Sequence, residues 1–317
     1  MESMAIGVDV SGTKIAAGLV DPTGAILNRI QVPTPANDAD AIVGAILQAA
    51  GELGAGNQVS RIGVCVAGFV DHARARVLFA PNLAWRDFPL RDRLEQSVPA
   101  TWVIENDANA AAWGEFRFGA GRRVEDLLMV TVGTGVGGGM VVNGQLLRGS
   151  HGVAAEIGHL CLVPDGQLCG CGNSGCLESY GSGTALVRNT RNEAAKSPRA
   201  ADLIKRAGGE ISQIEGPMIT QAALDGDAFA IEQIRGLGSW LGRGIANIAE
   251  ITDPAMAVIG GGVSRAGEIL VEAIERAYRA NLSAARQRPH LEVRIAELGN
   301  DAGLVGAADL THQVSGG

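Results

Sequence analysis

The sequence predicts an α/β protein built from two related halves. Three observations carry this. Apolar runs with strand character alternate with stretches of helical spacing along the chain. A strand, glycine turn, strand grammar occurs twice, and Gly12-Thr13 and Gly133-Thr134 lie 121 residues apart within it. Glycine fills 45 of 317 positions, roughly twice the average share, which suits tight turns or backbone brought close to a ligand.

In order, Ala5 to Val10 and Ile15 to Val20 read as strands around Ser11-Gly12-Thr13-Lys14. Ile42, Val43, Ile46, Leu47, Ala50 and Leu53 fall at helical spacing behind Asp38 and Asp40. Arg61 to Val70 and Thr101 to Glu105 are expected strands, and the second runs into a helix from Asp107 to Phe116. Leu127 to Val132 and Val136 to Val142 repeat the first hairpin around Gly133-Thr134-Gly135. Gly181 to Ala195 and Phe229 to Ile251 are expected helices, and close helix packing accounts for Gly236, Gly238, Gly242 and Gly244. A strand at Ala255 to Ile259, a turn at Gly260-Gly261-Gly262, a helix from Ser264 to Leu282, a strand at Leu291 to Leu298 and a helix from Asp301 to His312 follow. The halves meet near Gly119-Ala120-Gly121, with a cleft expected between them.

Charge and cysteine content narrow the function. The net charge of −8 argues against a phosphate-backbone binder, so no nucleic-acid partner is expected. Leu127 to Leu147 is uncharged and long enough to span a membrane, but its six glycines and the Asn143-Gly144 turn signal favour buried strands. No membrane partner and no signal peptide are expected, and the protein is placed in the cytoplasm. Five cysteines, three of them within eight residues, do not form a secreted disulfide framework.

The cysteine cluster is the strongest chemical signal. His159-x9-Cys169-x-Cys171-x4-Cys176 offers one imidazole and three thiolates, a closed tetrahedral set for structural Zn²⁺, against which stands a loop of free or redox-active thiols. Cys65 and Cys161 are expected to be ordinary buried residues. The turns at Gly12-Thr13, Gly133-Thr134-Gly135 and Gly260-Gly261-Gly262 each read as a hairpin turn singly. Together, in matching halves, they suit the phosphates of a nucleotide triphosphate. Glu105-Asn106-Asp107 lies where a strand becomes a helix, serving as a helix cap, as a general base, or as both. Glu156, His159 and Glu178 flank the cysteine loop. A metal-bound imidazole keeps one ring nitrogen to donate, and carboxylates suit sugar hydroxyls; the alternative is that both glutamates are merely solvated.

On these residues the chain resembles the ROK (repressor, open reading frame, kinase) family over nearly its whole length. Glu156-x-Gly-His159 followed by Cys169-x-Cys171-Gly-x-x-Gly-Cys176-x-Glu178 is the most specific part. The resemblance implies an actin/hexokinase-like (ribonuclease H-like) duplicated two-domain fold. Its smaller domain would be 1–118 plus 301–317, and its larger one 119–300. It implies transfer of a phosphoryl group from ATP to the 6-hydroxyl of glucose, with N-acetylmannosamine or N-acetylglucosamine as the other candidate sugars. Asp107 would be the base, and Gly68, Asn82, Asn106, Glu156, His159 and Glu178 would hold the sugar. Asp9, Ser11, Gly12, Thr13, Lys14, Gly133, Thr134, Gly135, Gly260 and Gly261 would hold the nucleotide and its Mg²⁺. Family members are commonly dimers or tetramers. The family has glycine where Ser11 stands, so a left-handed backbone there would be strained. Its sugar-responsive repressors carry an added helix-turn-helix, for which a phosphate loop starting at Asp9 leaves no room. The cysteine loop argues against an actin-like filament.

Overall fold

The computed structural model describes residues 3–57 and 59–313. β1 (Ala5–Val10), β2 (Lys14–Val20) and β3 (Ile26–Pro33) form an antiparallel meander, followed by α1 (Ala39–Gly54). β4 (Arg61–Val66) pairs with β1 in parallel, and three short strands follow, β5 (Phe69–Val70), β6 (Val77–Phe79) and β7 (Arg86–Phe88). Then come α2 (Leu90–Glu95), β8 (Thr101–Asn106), α3 (Asp107–Phe118), β9 (Leu127–Val132), β10 (Val136–Val142) and β11 (Gln145–Leu146). The rest comprises α4 (Glu178–Gly181), α5 (Gly183–Ala194), α6 (Ala201–Arg206), α7 (Gly216–Leu224), α8 (Ala228–Thr252), β12 (Met256–Gly260), α9 (Glu268–Asn281), β13 (Glu292–Ile295) and α10 (Ala302–Leu310).

The duplication is visible in strand order. One sheet runs β3-β2-β1-β4-β8 and the other β11-β10-β9-β12-β13. The chain divides into two compact units, one of Met1–Glu125, Gly139–Ala155 and Glu297–Gly317, the other of Asp126–Gly138 and Glu156–Ala296. The expected division put 139–155 with the second half. Here that segment belongs with unit 1, where Gly139 packs on Ala112 and Arg148 pairs with Glu105.

In unit 1, α1 buries Ile42, Val43, Ile46, Ala49, Ala50 and Leu53, and its start is capped by Asp38, which accepts from Asp40 N and Ala41 N. α10 contacts β1, β4 and α3. It comes so near that a Cβ on Gly7 would strike the Leu304 carbonyl, and one on Gly63 that of Ala307. The parallel register sets Asp9 beside Cys65 and Cys65 beside Glu105, so the carboxyl ends of β1, β4 and β8 bring acidic groups together.

In unit 2, β9 pairs with β12 and β12 with β13, all parallel. α8 and α9 pack as the glycine pattern anticipates, with Gly238 facing Ala273 and Gly242 facing Ala277. Gly244 lies against Leu177 instead, and Gly236 has open space.

Three expected elements are divided. Arg61 to Val70 is interrupted around Gly68, where a Cβ would lie 2.5 Å from the Phe79 carbonyl oxygen. The helix expected from Gly181 starts afresh after Ser182, whose Oγ accepts from Ala185 N. Gly267, at φ 57, separates a short 3-10 turn at Gly262–Ala266 from α9. The uncharged stretch from Leu127 is strand, and no helix among the described residues is long and apolar enough to cross a membrane.

Candidate active site

The unit 1 group is built at the strand ends. Asn106 ends β8 and caps α3, its Oδ1 accepting from Asn109 N at 3.0 Å. Its Nδ2 donates to the Gly68 carbonyl at 3.1 Å. Asn106 therefore does the capping, and Asp107 is the first helical residue, its carboxylate at the positive end of the helix. The β1–β2 turn is held by Ser11, whose Oγ donates to the Lys14 carbonyl at 2.9 Å. Ser11 is not in the left-handed region, so the expected strain is absent. Gly12 lies against Asn82, where a Cβ would come within 2.9 Å of the Asn82 Cβ. Thr13, Lys14 and Asn82 are exposed.

Asp9 ends its strand against the thiol of Cys65, which donates to Oδ1 at 3.6 Å. Burial raises the Asp9 carboxyl above the usual range, while Cys65 and Lys14 oppose the shift. Burial, then the charges of Asp9 and Asp107, push the Cys65 thiol well above its ordinary value. Cys65 is thus a neutral donor.

The unit 2 group centres on the cysteine loop. Ligand atoms of His159, Cys169, Cys171 and Cys176 all lie within 4.8 Å of one another. His159 turns Nδ1 toward Cys169 Sγ at 3.8 Å, and Cys171 Sγ lies 3.7 Å from Cys176 Sγ. Gly172 and Gly175 take φ 93 and 81, which lets the loop fold back. Three sulfurs and one imidazole nitrogen at this spacing fit zinc. Cys161 is exposed, not buried as expected. It pairs across a β-bridge with Cys176 but lies outside the four-ligand cluster.

Glu178 begins α4 and reaches two neighbours. Its Oε2 accepts from Val136 N at 3.0 Å, and Cys169 Sγ lies 3.7 Å from its Oε1. Gly133 N donates to Gly135 O, while Gly183 N and Thr184 Oγ1 donate to the carbonyls of Gly133 and Thr134. The glycine turn is therefore pinned from the segment just after the cysteine loop. Glu156 is solvent-accessible, yet partial desolvation raises its carboxyl, with His159 opposing and Glu178 adding to the rise. At the third turn, Gly261 sits at φ 83 against the Val132 carbonyl, so backbone conformation and packing both call for glycine there, with or without a ligand.

Each unit thus gathers its own share of the expected residues. Asp9, Ser11 to Lys14, Gly68, Asn82, Asn106 and Asp107 belong to unit 1. Gly133 to Gly135, Glu156, His159, Glu178, the cysteines and Gly260-Gly261 belong to unit 2. Sequence reasoning missed the partners behind them, namely Thr184, the Cys65 thiol and the Arg74 and Arg148 side chains on Glu105. Arg74 and Arg148 sit in no local pattern that would have marked them.

The family model described as "ROK family" matches residues 5–314, and the chain belongs to the ROK family. Its architecture is the two-domain actin/hexokinase-like α/β fold. The glucokinase of Streptomyces coelicolor is 45% identical over 311 residues, covering 98% of both chains. The crystal structure of a ROK family glucokinase from Streptomyces griseus in complex with glucose and AMPPNP is similar with TM-score 0.88 and 49% identity, covering 98% of this chain and 100% of that one. The N-acetylmannosamine kinase of Escherichia coli is 35% identical, covering 96% of both chains.

Proposed function

We propose that this chain is an ATP-dependent glucokinase, transferring the γ-phosphoryl group of ATP to the 6-hydroxyl of D-glucose. The observation that carries the reading is the 49% identity, over 98% of the chain, to a kinase holding glucose and an ATP analogue. Phosphoryl transfer needs positioning and charge stabilisation more than covalent catalysis. Asp107 takes the proton of the attacking hydroxyl. Asn106, Glu156, His159 and Glu178 hold the sugar ring, with Gly68 and Asn82 assisting. Gly12, Thr13, Gly133 and Thr134 cradle the phosphates, Ser11, Lys14 and Gly135 are further nucleotide-binding residues, and Gly260-Gly261 serve the adenosine side.

Mg²⁺ travels with the nucleotide and offsets phosphate charge. Asp9 would meet that cation through water. Zn²⁺, when bound, closes a structural site. His159 would hold it through Nδ1 with the three cysteines, which leaves Nε2 to donate to a sugar hydroxyl. We assign the enzyme to the cytoplasm, where ATP is kept, as a homodimer or homotetramer.

The likeness to an N-acetylmannosamine kinase supports a second reading, in which the sugar is an N-acetylated hexosamine. A coupled assay across glucose, mannose, N-acetylglucosamine and N-acetylmannosamine tests both. Glucose should give the highest kcat/KM. A higher value for either N-acetylated sugar would replace the first reading with the second.

A further inference from the structure

We propose that Arg148 is a positioning residue for the Asn106-Asp107 segment, acting through the buried carboxylate of Glu105. The inference rests on the reading of Asp107 as the base.

Glu105 is only 1% exposed, and a carboxylate so buried requires partners. Its Oε1 accepts from Asn106 N at 2.9 Å and Asn109 Nδ2 at 3.2 Å. Both donors belong to the start of α3, so Glu105 grips the segment that presents Asp107. Its Oε2 faces two cations from remote stretches, Arg74 Nε at 3.0 Å and Arg148 Nε at 2.7 Å.

Arg148 is 8% exposed and reaches further. Its Nη1 donates to the His72 carbonyl at 2.6 Å and its Nη2 to that of Asp71 at 2.9 Å. One guanidinium therefore joins the end of β8 to the chain just after β5. That chain leaves Gly68, the residue that holds the Asn106 side chain. Asn106 is thus supported twice, at its main chain by Glu105 and at its side chain by Gly68, and Arg148 braces both supports. The loop after Arg148 is shaped for this. Gly152, at φ 90, lets it lie against the main chain at 70–72, where a Cβ would strike the Val70 carbonyl. Arg74, at φ 56, holds a backbone conformation that non-glycine residues rarely take.

The Arg148 fork hydrogen-bonds the two carbonyls and places its charge on Glu105, with Nε 2.7 Å from Oε2 as an ion pair that lacks hydrogen-bond alignment. A lysine ammonium cannot hold both carbonyls and that pair in the same planar geometry. Asp107 follows directly on Asn106, so a slack support is passed to the base. Misplacing reacting groups by about 1 Å costs on the order of 10²-fold in rate.

The test compares Arg148→Met, Arg148→Lys and Glu105→Gln with Asp107→Asn, varying glucose and ATP separately and recording melting temperature alongside. In folded Arg148→Met, kcat should fall on the order of 10²-fold. KM for glucose should rise and KM for ATP should hold, with Arg148→Lys intermediate. A merely structural arginine would lower the melting temperature and leave both kcat and the KM split of the folded enzyme unchanged. Should Arg148→Met fail to fold, Arg148→Lys and Glu105→Gln carry the same comparison. Parental kcat in the folded variants, beside an impaired Asp107→Asn, overturns the inference alone. A fully active Asp107→Asn overturns the reading of the site, and this inference with it.

Discussion

The carboxylate of Glu178 accepts the main-chain N–H of Val136 at 3.0 Å. A side chain proposed to hold sugar therefore also holds the residue after a turn proposed to hold phosphate. The same carboxylate fills the space beside Gly135, where a Cβ would strike Oε2.

Gly135→Ala should push Glu178 away and impair both substrates. We expect KM for ATP and for glucose to rise together, by about tenfold each if the displacement costs on the order of 1.4 kcal/mol. Steady-state kinetics checks this, and an unchanged KM for glucose would separate Glu178 from the turn.

Asp107→Asn should keep the helix start, because Asn106 makes the cap. Loss of the proposed base should lower kcat by about 10²–10⁴. Glucose binding by calorimetry should stay close to that of the parent.

Cys171→Ala should remove zinc and loosen the loop that carries His159. Elemental analysis should find stoichiometric zinc in the parent and little in the variant. Glucose affinity should fall, and chelation of the parent should reproduce the loss. A parent purified without zinc but fully active would end the metal assignment.

Gly63→Ala should destabilise unit 1, because α10 leaves no space between Gly63 and the Ala307 carbonyl. Overpacking of this kind costs about 1–3 kcal/mol. Denaturant unfolding should show it.

Asp9 gives a pH signature. Its pKa is raised from 3.8, first by burial, so the folded state holds its proton to higher pH than the unfolded chain does. The contribution to stability is then fully present below 3.8 and is lost as pH rises through the folded value. Asp9→Asn should therefore stabilise the protein at neutral pH, and the gain should vanish in acid. Thermal melts across pH would show it; a variant less stable than the parent at neutral pH would contradict it.

Much of this was legible in the chain because it is local. The cysteine loop is a spacing pattern, the glycine turns close hairpins, and the helix after Asn106 starts at its own cap. What escaped is long-range. Arg148 meets Glu105 across 43 positions of sequence, and no periodicity marks it. β3 was missed because its sparse, mostly exposed pattern gives no strong apolar run. The break at Ser182 was missed because one cap inside a helical stretch reads as an ordinary polar residue.

The covering of β1 and β4 by α10 bears on how the polypeptide is made. The strands that carry Asp9 and Cys65 are translated before unit 2, but the helix that seals them is translated after it. Unit 2, made of Asp126–Gly138 and Glu156–Ala296, is complete in sequence before that helix exists. The half bearing Asp107 should therefore mature last, and a nascent chain stalled before residue 302 should bind no sugar through it.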